Sequence, residues 1–369
     1  MLVQGSHQLL SQLLESLHKN KSPLFIHGTF GIGKSEAVQQ YAMRKAAEAG
    51  LEFSENFNDV NNEKRFVLLK IVLHQFESAE LKGIPFPNED RSHTVYLPMG
   101  MLPEKGQGVI FFDELNLASP MLQSNAYQII LERRIGFYTV PENYHVLAAG
   151  NLQDDRGHTF EMAMPLNNRF GHYQLLVPST EEWVRNYAML NDVDHRVMNF
   201  LSFRKDYLYR FNPSQDSSEI AVPTPRTWKM ASDAIQSTTM ENEELLHALI
   251  GAHVGDGIAT EFIAWLKLSQ KYDIPALFRG ENFEKPTEED QVYSLISALV
   301  AHYFDSMSSK SNTKLAGRLF ELSQIFNKEH QVMLLSVAKQ KDPDYFKKVK
   351  SAVPQLFTKV AEELFKLLI

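Results

Sequence analysis

The chain has 369 residues, with Lys+Arg 37 against Asp+Glu 45 and a formal net charge of −8. At about 150 residues per domain this predicts two or three domains, large enough to bury a core without covalent staples. Cys 0 excludes thiolate catalysis, Cys-ligated zinc and cysteine-held iron–sulfur clusters, and fits a reducing, cytoplasmic setting.

In chain order, residues 11–18 read as an amphipathic helix with Leu13, Leu14 and Leu17 on one face. Residues 23–27 (PLFIH) form a short apolar run of the kind a buried parallel strand needs. A glycine-rich turn follows, then a predicted helix over residues 34–50, ended by Gly50. Further buried strands are predicted at 66–72, 108–112, 145–149 and 173–177, a helix at 121–131, and a hairpin over 132–143 turning near Gly136. Strands alternating with helices predict an α/β fold with a parallel sheet flanked by helices. The pattern changes at Pro178 and is helical from there on, with a proline-marked loop at 212–226 and a weak break at 280–286. The expected organisation is an α/β nucleotide-binding core at 1–178, an all-helical lid at 179–280 and a helical C-terminal extension at 281–369. No run of about 18 apolar residues occurs, so no membrane span is expected, and the first residues, Met1-Leu2-Val3-Gln4-Gly5-Ser6-His7, have neither a basic segment nor a long apolar run, so no signal peptide is expected.

Gly28-Thr29-Phe30-Gly31-Ile32-Gly33-Lys34-Ser35 fits G-x-x-x-x-G-K-[ST] between a strand and a helix. The glycines let backbone N–H groups face phosphate oxygens, and the helix adds the positive end of its dipole. Lys34 is placed to reach the β- and γ-phosphates, and Ser35 to ligate Mg²⁺. Val109-Ile110-Phe111-Phe112-Asp113-Glu114 is an apolar strand ending in two carboxylates. Asp113 suits Mg²⁺, and Glu114 suits a general base that polarises an attacking water, which favours hydrolysis over phosphate transfer to a substrate. Asn151 ends another apolar strand and suits a role in orienting that water. Arg169, before the last strand, and Arg226, at the start of a helix, can each supply positive charge to the transferring phosphoryl group.

This ordered set resembles the AAA+ ATPases, and within them the MoxR-like branch of the dynein-related "AAA_5" type that includes the CbbQ and NorQ activators. The residues that carry the likeness are those of the phosphate loop, Leu81-Lys82-Gly83-Ile84-Pro85, Gly108-Val109-Ile110-Phe111-Phe112-Asp113-Glu114-Leu115-Asn116, Val140-Pro141-Glu142-Asn143, Ala148-Ala149-Gly150-Asn151, Asn168-Arg169-Phe170 and Pro225-Arg226-Thr227-Trp228. The resemblance covers about residues 5–275 and implies a ring, usually a hexamer, with ATP at subunit boundaries. Lys34, Ser35, Asp113, Glu114, Asn151 and Arg226 would act within one subunit, and Arg169 would be a finger presented to the neighbour. Arg133 and Arg134 also lie where a neighbour's site can be reached. It further implies remodelling of a partner protein, often alongside a von Willebrand A domain protein.

Thr29-Phe30 stands where the family commonly has two prolines, Asn168 where it commonly has Asp, and no aromatic-hydrophobic-Gly pore loop is evident. Two other classes stand beside the remodelling ATPase. One is a nucleotide-gated scaffold with slow hydrolysis. The other is a DNA-directed AAA+ protein such as a helicase loader or a McrB-like GTPase, the latter on a likeness in residues 150–156. The acidic balance tilts against nucleic acid. His74, His93 and His158 are isolated and read as structural, Trp183, Trp228 and Trp265 as core, residues 207–211 as packing, and the basic run 339–350 as a solvated helix face.

Overall fold

In a computed structural model the chain divides into two units, Met1–Pro178 and Ser179–Ile369. The structure describes residues 2–77, 80–81, 83–97, 100–136, 138–152, 160, 162, 164–211, 220–238, 242–268, 271–306 and 312–360. Residues 153–156 of the McrB-like stretch, Lys82 and His158 lie outside them.

The first unit is a parallel sheet flanked by helices. Its strands, in chain order, are β1 (Val3–Gly5), β2 (Leu24–His27), β3 (Glu52–Ser54), β4 (Arg65–Val72), β7 (Gln107–Asp113), β10 (Tyr144–Gly150) and β11 (Gly171–Leu175), in the spatial order β1-β11-β2-β10-β7-β4-β3. Every pairing in this sheet is parallel. Two antiparallel ribbons complete the strands: β5 (Ile84–Pro87) with β6 (Thr94–Leu97), and β8 (Arg134–Ile135) with β9 (Tyr138–Thr139). The second ribbon is the hairpin expected around Gly136, whose φ of 55° gives the turn its left-handed residue.

The central strands are apolar because both faces are covered. All seven residues of β10 are buried, and six of the seven in β7. Helix α1 (His7–His18) starts at Ser6, whose hydroxyl accepts from Leu9 N, and buries Leu10 and Leu14. Helix α2 (Lys34–Ala49) ends at Gly50, with φ 66° and its amide donating to Ala46 O and Ala47 O. Helix α3 (Pro120–Tyr127) runs into a π-helical turn, Gln128–Glu132. Short helix α4 (Met164–Asn167) precedes β11.

The second unit is helical: α5 (Thr180–Asn186), α6 (His195–Phe203), α7 (Pro225–Ile235), α8 (Glu243–Val254), α9 (Asp256–Leu268), α10 (Ile274–Arg279), α11 (Glu289–Asp305), α12 (Asn312–Ser323), α13 (Lys328–Lys341) and α14 (Tyr345–Ala352). Capping boxes start two of them, Ser179 with Glu182 at α5 and Thr224 with Thr227 at α7. Trp183, Trp228 and Trp265 lie in its core, as do Tyr207 and Leu208. The indole of Trp228 donates to Tyr207 O at 2.6 Å. Helices on both sides of residue 280 contribute to this one core, from Phe200 and Phe262 to Leu299, Leu334 and Tyr345. In the basic run, Lys348 is engaged with both oxygens of Asp342, at 2.8 and 2.7 Å. Among the described residues, no helix is long and apolar enough to cross a membrane.

Candidate nucleotide site

The parallel register aligns the ends of β2, β10 and β7 along one edge of the sheet, with Gly150 opposite His27 and Ala148 opposite Phe112. The loops that leave this edge carry most of the residues singled out in the sequence, which is where ligands bind in open α/β sheets.

From β2 the chain enters the glycine turn. Gly31 and Gly33 have φ 71° and 93°, a conformation that an L side chain strains to adopt. Gly33 leads directly into α2 with no side-chain cap, which directs the positive end of the helix toward the loop. Lys34 is 8% exposed, and its ammonium donates to Gly28 O at 2.7 Å, Thr29 O at 2.8 Å and Asn151 Oδ1 at 2.9 Å. The amine therefore lies across its own loop among neutral oxygens, which an anionic phosphate outcompetes by charge. Phe30 is half-buried and Ile32 buried, and Ile32 O meets His7 Nε2 at 2.8 Å.

Ser35 Oγ donates to Asp113 Oδ2 at 2.7 Å, and Lys70 Nζ meets the same oxygen at 2.8 Å. The other carboxylate oxygen accepts from Glu114 N at 3.1 Å. A hydroxyl beside a buried carboxylate is a hard-oxygen pair that fits Mg²⁺, a cation that takes one or two protein oxygens and shares the rest with phosphate and water. Among the described residues no group of three or more His, Asp or Glu forms a fuller cage.

Glu114 has φ 54° and ψ 37°, unusual for a residue with a side chain, and opens the turn Leu115–Leu117. That sharp turn separates the Glu114 carboxylate, 43% exposed, from the buried Asp113. His74 Nδ1 stands 4.0 Å from Glu114 Oε2.

Asn151 is held by a residue whose side chain was not singled out in the sequence. Asn116 Nδ2 donates to Asn151 O at 2.8 Å, and Asn116 Oδ1 accepts from Asn151 N at 3.2 Å. One buried amide thus grips both polar groups of the Asn151 backbone and leaves its side chain on Lys34. Gly150 is required there, because a Cβ would lie 2.4 Å from Asn116 Oδ1.

Of the arginines, Arg169 is exposed and makes no hydrogen bond or ion pair among the described residues. Arg133 is engaged: its guanidinium donates to Pro141 O at 2.6 Å and Tyr144 O at 2.9 Å, tying the β8–β9 ribbon to β10. Arg134 pairs with Glu132 at 2.8 Å. Arg226 is exposed in the first turn of α7, in the second unit.

Two histidines sit behind the loop. His27 Nε2 and His172 Nδ1 are 2.8 Å apart. Burial, then His172 and Lys34, push the His27 pKa down to about 4, so its ring is neutral at physiological pH.

No family model matches the chain, and no curated protein matches it. Solved structures do match it, at low identity. AMPPCP-bound DnaA from Aquifex aeolicus is 12% identical over 98% of this chain and 96% of that one, with a TM-score of 0.35. NtrX from Brucella abortus in complex with ADP is 13% identical over 96% of this chain and 68% of that one, with a TM-score of 0.33. C. elegans PCH-2 is 13% identical over 71% of this chain and 68% of that one, with a TM-score of 0.32. What the site can do follows from its own atoms.

Proposed function

We propose that this chain is an ATP-hydrolysing AAA+ protein of the MoxR-like branch, working as a ring, usually a hexamer, that remodels a partner protein. The observation that carries the reading is the sheet edge itself. There an ammonium, a hard-oxygen pair, an accessible carboxylate and an amide belong to loops leaving adjacent strands.

In this reading the loop N–H groups and Lys34 take the phosphates, and Lys34 leaves its carbonyl partners to do so. Ser35 and Asp113 would hold Mg²⁺, which supplies charge neutralisation on the β- and γ-phosphate oxygens. Glu114 receives a proton from the attacking water, and its exposure leaves room for that water. Asn151, positioned through its backbone, orients the water. Arg226 acts within the subunit and Arg169 on the neighbour's nucleotide, where added positive charge is worth orders of magnitude in rate. The exposed guanidinium of Arg169, without a hydrogen bond or ion pair among the described residues, supports that role, and the carbonyl bonds of Arg133 argue against the alternative finger.

Glu114→Gln tests the reading. Bound ATP is expected to persist while turnover falls about 100-fold or more, the usual worth of a general base; unchanged turnover overturns it. Running both nucleotides in the same assay decides ATP against GTP. Arg169→Ala subunits mixed with Lys34→Ala subunits are expected to regain activity, because some interfaces then carry an intact loop facing an intact arginine. No recovery at any ratio removes the trans role.

A further inference from the structure

His172 uses both of its ring nitrogens. It stands on β11 opposite Phe25 of β2, and its ring reaches His27, the residue before the phosphate loop, with Nδ1 to Nε2 at 2.8 Å and ring centroids 5.1 Å apart. Its Nε2 is 2.6 Å from the carbonyl oxygen of Asn167, the last residue of α4 and two positions before Arg169. A carbonyl only accepts, so His172 Nε2 carries the proton. A neutral His172 then accepts at Nδ1, and His27 donates from Nε2. The hydrogen bonds run in one direction, from the start of the phosphate loop to the turn that displays Arg169.

Apolar packing supports the same line. Phe170, next to Arg169, is buried and meets Phe25 edge-on at 5.5 Å, and Phe25 packs on His27 at 4.3 Å. Arg169 is therefore bracketed by a hydrogen-bonded carbonyl two residues before it and a buried ring just after it. Both anchors lead back to β2. The backbone register of β2 with β11 needs neither imidazole, so the ring bonds do something that strand pairing does not.

We propose that His27 and His172 are positioning residues that fix the Arg169 turn relative to the phosphate loop of the same subunit. The inference rests on the reading of Arg169 as a finger acting on the neighbour. A misplacement of about 1 Å at a reacting phosphoryl group costs up to about 100-fold in rate without weakening binding in the subunit's own loop.

The test uses the full-length assembled protein. His172→Phe keeps the ring and its packing but removes both hydrogen bonds. Its nucleotide Kd is expected to stay within about threefold of wild type while kcat falls about 10- to 100-fold. Combined with Arg169→Ala, it is expected to lower kcat no further than Arg169→Ala alone, since the two act as one unit. His172→Gln, with an acceptor and a donor on one planar group, is expected to recover kcat to within about threefold of wild type. A further, multiplicative loss in the double variant overturns the coupling and leaves the arginine's role standing. Wild-type turnover in Arg169→Ala overturns both. If His172→Phe does not fold, His27→Phe, which removes the same ring-to-ring bond, takes its place: kcat within about threefold of wild type, or a loss that multiplies with that of Arg169→Ala, overturns the proposal.

Discussion

The grip of Asn116 on Asn151 makes a sharp prediction, because it separates positioning from stability. Asn116 is 8% exposed, and its amide satisfies both the N–H and the C=O of Asn151. A backbone group deprived of its partner costs about 1–3 kcal/mol when buried, and less where water replaces it. Asn151 is only half-buried, so Asn116→Ala is expected to cost about 2 kcal/mol in all. That corresponds to roughly 4–8 °C in Tm for a unit of this size. The effect on turnover is expected to be larger, because Asn151 Oδ1 loses its fixed place on Lys34: kcat falls about 10- to 100-fold with little change in KM. Asn116→Asp sharpens the test. It is nearly the same shape, but puts a carboxylate oxygen where the amide nitrogen now lies 2.8 Å from Asn151 O. Acceptor then faces acceptor, and turnover is expected to fall at least as far as in the Ala variant. Urea midpoints by circular dichroism and steady-state phosphate release supply the two numbers. A loss of stability of the stated size with kcat within about twofold of wild type in both variants would refute the reasoning: the amide would then hold the fold and not the water-orienting residue.

Gly150→Ala attacks the same place by crowding, since its Cβ would lie 2.4 Å from Asn116 Oδ1 and 2.7 Å from the Phe25 ring. A loss of about 1–3 kcal/mol is expected by urea denaturation, and an Ala variant as stable as wild type removes the claimed close approach. Acid sensitivity is the other expectation. Burial chiefly, with Lys21, His18 and Arg133 adding to it, lowers the His145 pKa to about 4. Between that value and the ordinary 6.5, the unfolded chain binds more protons than the folded one, so stability rises with pH across this window. The contribution is complete above about pH 6.5 and lost on acidification toward pH 4, about 3 kcal/mol for this ring. His145→Asn is expected to flatten the fall in urea midpoint between pH 7 and pH 5, and a slope equal to wild type counts against the buried neutral ring.

What was legible in the sequence is what local chemistry dictates. The phosphate loop needs its glycines and lysine in consecutive positions, and β7 and β10 must be apolar along their length to sit between covered faces. Chain order then fixes much of the rest, because parallel strands deliver their ends to one edge. Three-residue strands such as β1 and β3 offer no periodicity to read, and they exist because neighbours already in place give them a partner. The same limit hides the residues that position the site. Asn116 reaches Asn151 across 35 positions, Lys70 reaches Asp113 from the neighbouring strand, and His172 reaches His27 across 145. Each depends on the register between two strands, and register appears only when the sheet is assembled.

The arginines show the converse. Arg133, Arg134 and Arg169 look alike as residue types in a sequence, and they differ only in what surrounds them. Arg133 is held by two backbone carbonyls, so freeing it would leave Pro141 O and Tyr144 O without that donor. Arg134 is paired at the surface, where the bond is weak and screened. Arg169 alone of the three carries a charge with no bond among the described residues, on a turn whose two sides are anchored. A guanidinium kept uncommitted on a fixed turn is suited to a charge supplied from outside the subunit. That is why the mixing experiment, rather than any single-subunit measurement, bears on it most directly.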